Sequence, residues 1–91
     1  MNEVAEKLVI ARELVESVLS GECTYETHPE SFNSGSIRWA VNMLELHAPE
    51  LLLAKIRDRR YSLEARGAVV GQTLRMLPVL GDILDEEHNS E

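Results

Sequence analysis

The sequence predicts an all-α protein: a small bundle of four to five helices with a long loop between helices 1 and 2. Three observations carry that prediction. Apolar residues recur at helical spacing along most of the chain. Asn, Ser, Gly and Pro stand where such segments start and stop. β-propensity is concentrated nowhere except at Cys23-Thr24-Tyr25.

Residues 2–20 form the first predicted helix. Val4, Leu8, Ala11, Val15 and Val18 follow 4-3-4-3 spacing, flanked by Leu14 and Leu19. Asn2 is a suitable N-cap, and Glu3 and Glu6 suit the positive end of the helix dipole. Gly21 is a natural stop. Glu6, Glu13 and Glu16 fall on the opposite face with Ser20. Residues 21–35 have no helical period and are punctuated by Gly21, Pro29, Asn33 and Gly35. A loop this long in a small domain is usually functional or poorly ordered. Tyr25 and Phe32 are the residues able to pin it to a core, around a short strand or a helical turn.

Residues 36–48 form a second helix with two apolar faces. Ile37, Ala40, Val41, Leu44 and Ala48 make one; Trp39, Met43 and Leu46 make the other at i, i+4, i+7. Only Arg38, Asn42 and Glu45 leave a narrow polar strip. A helix apolar nearly all round is normally buried, and one neighbour cannot easily cover both faces.

Pro49 suits the first turn of a new helix, with Glu50 beside it favouring the dipole. Leu52, Leu53, Ile56, Leu63, Val70, Leu74 and Leu77 keep helical phase as far as Pro78. That continuity allows one long helix over 49–77. Ser62 as an N-cap and the Gly67/Gly71 pair favour two instead, 49–60 and 63–77. Pro78 is expected to end the run. A short last helix over 79–86 buries Leu80, Ile83 and Leu84, and residues 88–91 form a frayed acidic tail.

A chain of 91 residues is expected to make a single helical domain spanning 1–91. It buries only about 60–65% of its unfolded surface, so its core is marginal and oligomerisation is a common supplement. The apolar content of 44% argues against global disorder. Cys23 has no second cysteine to pair with, which fits a reducing compartment. The acidic start, Met1-Asn2-Glu3-Val4, does not read as a signal peptide. No apolar run approaches the roughly 18 residues of a membrane span. The expectation is a cytoplasmic protein with no membrane association.

Charge is divided sharply. Residues 1–50 carry nine acids against Lys7, Arg12 and Arg38, a net of −6. Residues 51–77 carry Lys55, Arg57, Arg59, Arg60, Arg66 and Arg75 against Asp58 and Glu64, a net of +4. Residues 78–91 carry five acids and no base. The total of −7 disfavours nonspecific binding to nucleic acid or anionic membranes. An acid–base–acid layout allows pairing within one chain, between two copies, or with a charged partner.

Motifs for chemistry are weak. The loop gathers Glu22, Cys23, Glu26, His28 and Glu30, which are the ingredients of a zinc site. There is no Cys-x-x-Cys and no helical His pair, so a polar surface loop is the better reading. Cys23 and His28 match no spacing that nucleophilic catalysis requires. Gly67-Ala-Val-Val-Gly71-Gln-Thr73 has three residues between its glycines rather than four, and lacks the phosphate-loop lysine. Close helix–helix approach at Gly67 and Gly71 is the expectation there. No catalytic residue, cofactor or metal ligand is assigned.

The surfaces say more. Trp39, Met43 and Leu46, if exposed, make an apolar patch of the kind that marks an interface, here between two copies. Arg57, Arg59, Arg60 and Arg66 are the candidates for ion pairs or nucleic-acid contact; helical projection spreads them, which favours pairing with carboxylates. Glu6, Glu13 and Glu16 are the candidates for partner binding. The sequence therefore points to a non-enzymatic acidic interaction module, a small regulator, adaptor or inhibitor. It would occupy a basic surface on a partner protein, and form a homodimer. Three other readings compete. They are a nucleic-acid-mimic inhibitor from a phage or mobile element, a nucleic-acid-associated subunit using the Arg57–Arg66 block, and a small enzyme with a site in the 21–35 loop.

Overall fold

The computed structural model describes residues 2–89. They form six helices and no strand: α1 (Glu3–Leu19), α2 (Pro29–Asn33), α3 (Ser36–His47), α4 (Pro49–Arg57), α5 (Leu63–Val70) and α6 (Leu77–Asn89). The radius of gyration, 12.7 Å, is close to the value of about 12 Å for a compact chain of this length. α1 packs most extensively on α3, and α5 also touches α1. α4, α5 and α6 form a second group in mutual contact.

Local chemistry explains the first half. Asn2 Oδ1 accepts the Val4 and Ala5 amides at 3.1 and 3.4 Å, so the predicted cap forms. Gly21, at φ +87°, turns the chain out of α1. Ala11, Val15, Val18 and Leu19 from α1 meet Ile37, Ala40, Val41 and Leu44 from α3. Leu52, Ile56, Val69, Val70 and Leu80 extend that core through α4, α5 and α6. The loop between α1 and α3 is not structureless. Thr24 and Thr27 clasp it reciprocally, each amide donating to the other's hydroxyl at 3.0–3.1 Å. Pro29 then opens α2, and Tyr25 meets Phe32 edge-on with ring centroids 6.0 Å apart.

The second half departs from the expectation in five places. The helix expected over 49–60 stops at Arg57, and the one expected over 63–77 stops at Val70. Pro78 opens the last helix instead of ending the previous one, because a residue without an N–H is tolerated in a first turn. α6 then runs through His88 to Asn89, past the expected end at 86 and into the expected frayed tail, of which 90–91 lie outside the described residues. Close packing at Gly67 and Gly71 is absent. A Cβ on Gly67 would meet nothing within 4 Å, and one on Gly71 would meet only carbonyls of its own helix. The buried side chains of α5 are Arg66, Val69 and Val70, so its neighbours pack elsewhere.

The break at 71–76 is made by α3. Its polar strip is a docking rail and not a solvated face. Arg38 Nε donates to the Gln72 side chain at 3.2 Å, and Asn42 Nδ2 donates to the Gln72 carbonyl at 2.9 Å. The Glu45 carboxylate, buried, accepts the amides of Leu74, Arg75 and Met76 at 2.6–3.1 Å. Those amides are thereby withdrawn from any continuing helix. Negative charge before the first turn of α6 also suits its dipole.

One guanidinium joins the second group. Arg66 is only 2% exposed. It donates to the Tyr61 carbonyl at 3.0 Å, to the Ile56 carbonyl at 3.1 Å, and in a fork to both Glu87 oxygens at 2.5–2.6 Å. The end of α4, the turn after it and the end of α6 are thus tied to α5. The acidic end of α6 is tolerated because Glu87 faces this cation.

Burial acts to raise the Glu45 carboxyl, but the Leu74, Met76 and Arg75 amides and the Arg75 charge outweigh it and hold the pKa below the ordinary value of 4.5. A depressed folded pKa contributes stability that is complete above the unfolded value and lost as pH falls through the folded one. Glu45→Gln is expected to destabilise the protein by about 1–3 kcal/mol at neutral pH. The difference from wild type should shrink as pH falls below about 4. Urea titrations at neutral and acidic pH check both expectations.

Candidate interaction surfaces

The outer face of α1 carries Glu6, Glu13 and Glu16. Glu6 and Glu13 are exposed, with no ion pair among the described residues. Glu16 is held by Lys55 Nζ of α4 at 2.7 Å. The hydrogen bond from that ammonium, then its charge, lowers the Glu16 pKa. Half of the Glu16 side chain stays exposed, and although the exposed Arg12 lies beside Val9, Glu13 and Glu16, the face stays net acidic. Val9 and Ile10 lie among these carboxylates at 55% and 52% exposure. Sequence reasoning missed them because both fall outside the 4-3-4-3 stripe. The available signal was position: Val9 is three residues from Glu6 and four from Glu13, which puts all three on one face.

The second face of α3 is partly covered. Met43 packs against the core, whereas Trp39 and Leu46 are exposed at 38% and 61%. Leu46 borders a shallow hollow with Leu74 and Arg75, next to the rail that holds 72–76. The docked segment therefore extends this face and does not bury it.

The basic block does not form one surface. Arg66 is buried in its fork with Glu87 and is out of reach of a phosphate. Arg59 lies 3.6 Å from Glu87 but is largely exposed. Arg60 grips Asp58 at 2.7 Å and donates to it through both Nε and its amide. The Arg60 side-chain hydrogen bonds, with its amide next, push the Asp58 carboxyl down to about 2. Arg57 is exposed beside Arg59, Ile83, Glu86 and Glu87, so carboxylates interleave the cations. Glu87 itself is lowered chiefly by its hydrogen bonds from Arg66.

In the loop, Cys23 is buried as a free thiol, while Glu22, Glu26, His28 and Glu30 are exposed. The His28 Nδ1 meets the Thr27 hydroxyl at 2.9 Å. Among the described residues no three His, Cys, Asp or Glu side chains gather as a metal-binding group. No helix among them is long and apolar enough to cross a membrane. No protein-family profile, no curated protein and no solved structure matches this chain.

Proposed function

We propose that the protein is a non-enzymatic interaction module that docks the outer face of α1 on a basic surface of a partner protein. The observation that carries this reading is Val9 and Ile10, two exposed β-branched residues set among Glu6, Glu13 and Glu16. Carboxylates alone are an ordinary solvated face. Carboxylates around an exposed apolar pair suit a partner that offers cations around a hydrophobic patch. The charges speed and orient encounter, and the apolar pair slows release. The module acts by occupancy, as a small regulator, adaptor or inhibitor. The cytoplasm fits this reading, since Cys23 has no second cysteine and a reducing compartment keeps it a thiol.

A homodimer is the second reading, supported by Trp39 and Leu46 on α3. A second copy is the occupant we assign to that face, because a chain with so small a core gains from burying apolar surface against itself. The face is distinct from the outer face of α1, so dimerisation leaves the docking surface open.

Two experiments test these assignments. A partner captured from cell extract should bind the Glu6→Lys, Glu13→Lys, Glu16→Lys variant more slowly and with weaker salt dependence. Val9→Ser with Ile10→Ser should raise its dissociation rate about tenfold. A partner indifferent to both sets but lost with Arg57→Ala and Arg60→Ala would assign binding to the basic block. A partner displaced competitively by duplex DNA would make the face a phosphate mimic. For the dimer, sedimentation equilibrium should find two copies at micromolar concentration and one for Leu46→Glu. That position is exposed, so the variant keeps its fold. A wild-type chain monomeric at high concentration would remove the second reading.

A further inference from the structure

Between the loop after α1 and helix α5 lies a pocket of about 300 Å³. Its walls are Val18, Cys23, Phe32, Ala65 and Ala68. The cavity exists for a simple reason. Ala65 and Ala68, at i and i+3 on α5, present only methyl groups towards the loop. The loop cannot collapse onto them, because the Thr24–Thr27 clasp and the edge contact of Tyr25 on Phe32 hold its shape. The space is thus preformed and mostly apolar. Its size lies at the lower end of small-ligand sites, enough for one ring with a short chain.

The rim supplies the polar chemistry. Glu26 and Glu64 both border the mouth, and neither makes an ion pair among the described residues. The N-terminus of α5 adds about half a positive charge nearby, so the rim stays net negative. Ser62 already accepts the Ala65 amide, which removes one donor an anion would need. Tyr25, exposed at the mouth, offers an aromatic ring that attracts cations. An anion is repelled here, and a neutral apolar molecule leaves two carboxylates unused. A cation without an apolar body leaves the walls unused.

We propose that this pocket binds a small primary amine carrying an aromatic or branched apolar group. The apolar body rests against Val18, Phe32, Ala65 and Ala68, and the ammonium lies between Glu26 and Glu64. Val18 belongs to the buried face of α1, so the site opens away from the acidic outer face and is independent of the docking reading.

The test is a titration of the intact, ¹⁵N-labelled chain, with 2-phenylethylamine as the probe. The matched controls are 2-phenylethanol, 3-phenylpropionate and methylamine. The amine should move the amides of Cys23, Tyr25, Phe32, Ala65 and Ala68 in a saturable way. It should bind about tenfold or more tightly than the alcohol. The propionate and methylamine should give no saturable shift. Ala68→Leu, at an exposed helix position whose spectrum reports an intact fold, should abolish binding. Glu26→Gln with Glu64→Gln should reduce the amine to the level of the alcohol. The proposal is overturned by any of three results: no saturable shift with phenylethylamine, equal binding of the anion, or shifts spread over Glu6, Glu13 and Glu16. Unchanged binding in Ala68→Leu would overturn it too, since the ligand would then lie outside the pocket.

Discussion

Arg66 carries a constraint that most of the second half of the molecule obeys. α4 and α5 are short, and α4, α5 and α6 each contribute only one or two buried apolar side chains. Burial on that scale does not by itself select one arrangement of three helices. The guanidinium adds direction. Its planar fork meets both Glu87 oxygens, and its remaining donors take the carbonyls of Ile56 and Tyr61. The Ile56 carbonyl lies in the last turn of α4, where a helix has run out of internal partners, and the Tyr61 carbonyl lies in the turn before α5. A buried ion pair is poor evidence for net stability, because desolvation offsets much of the Coulomb attraction. What the fork supplies is geometry: α6 cannot rotate or slide without leaving a buried cation unmatched.

The same logic recurs at Glu45. A buried carboxylate collects three consecutive amides and sets where α6 begins. Two buried charges therefore place the last helix, Glu45 at its start and Arg66 near its end. The acid–base–acid layout of the chain is partly consumed in this way. Lys55 takes Glu16 from the first block, and Arg66 and Arg59 take Glu87 from the last. The charge left over is mainly negative and lies on α1, in the loop and on the outer side of α6. Of the basic middle block only Lys55 and Arg66 work inward; Arg57, Arg59 and Arg60 stay exposed but are interleaved with Asp58, Glu86 and Glu87.

Legibility in the sequence followed the range of the determining interaction. α1 and α3 were readable because periodicity and caps are local: Asn2, Gly21 and the Ile37–Leu44 stripe act within a few residues of themselves. The 71–76 turn was not readable. Its helical phase is continuous from Leu63 to Leu77, and the side chains that hold the break, Asn42 and Glu45 above all, lie about 30 residues earlier. Pro78 is ambiguous for the same reason, since a proline marks a stop or a start according to what precedes it. The polar strip Arg38, Asn42, Glu45 was visible as a strip, but its use as a rail was not. Pairing of the arginines was legible as a tendency, whereas the choice of Glu87 depended on tertiary geometry. At the candidate surface, the carboxylates of α1 and the second apolar face of α3 were both legible. Val9 and Ile10 lie outside the stripe that packs, and periodicity gives no sign of them.

Equilibrium urea denaturation of Arg66→Met tests the role of the buried guanidinium most directly. Methionine keeps the apolar stem and removes the donors. A loss of about 3 kcal/mol is expected, with a smaller loss for Glu87→Gln and little further loss when the two are combined. An Arg66→Met protein within about 0.5 kcal/mol of wild type would contradict that role. In that case apolar packing and the Glu45 contacts would hold the three helices without the guanidinium.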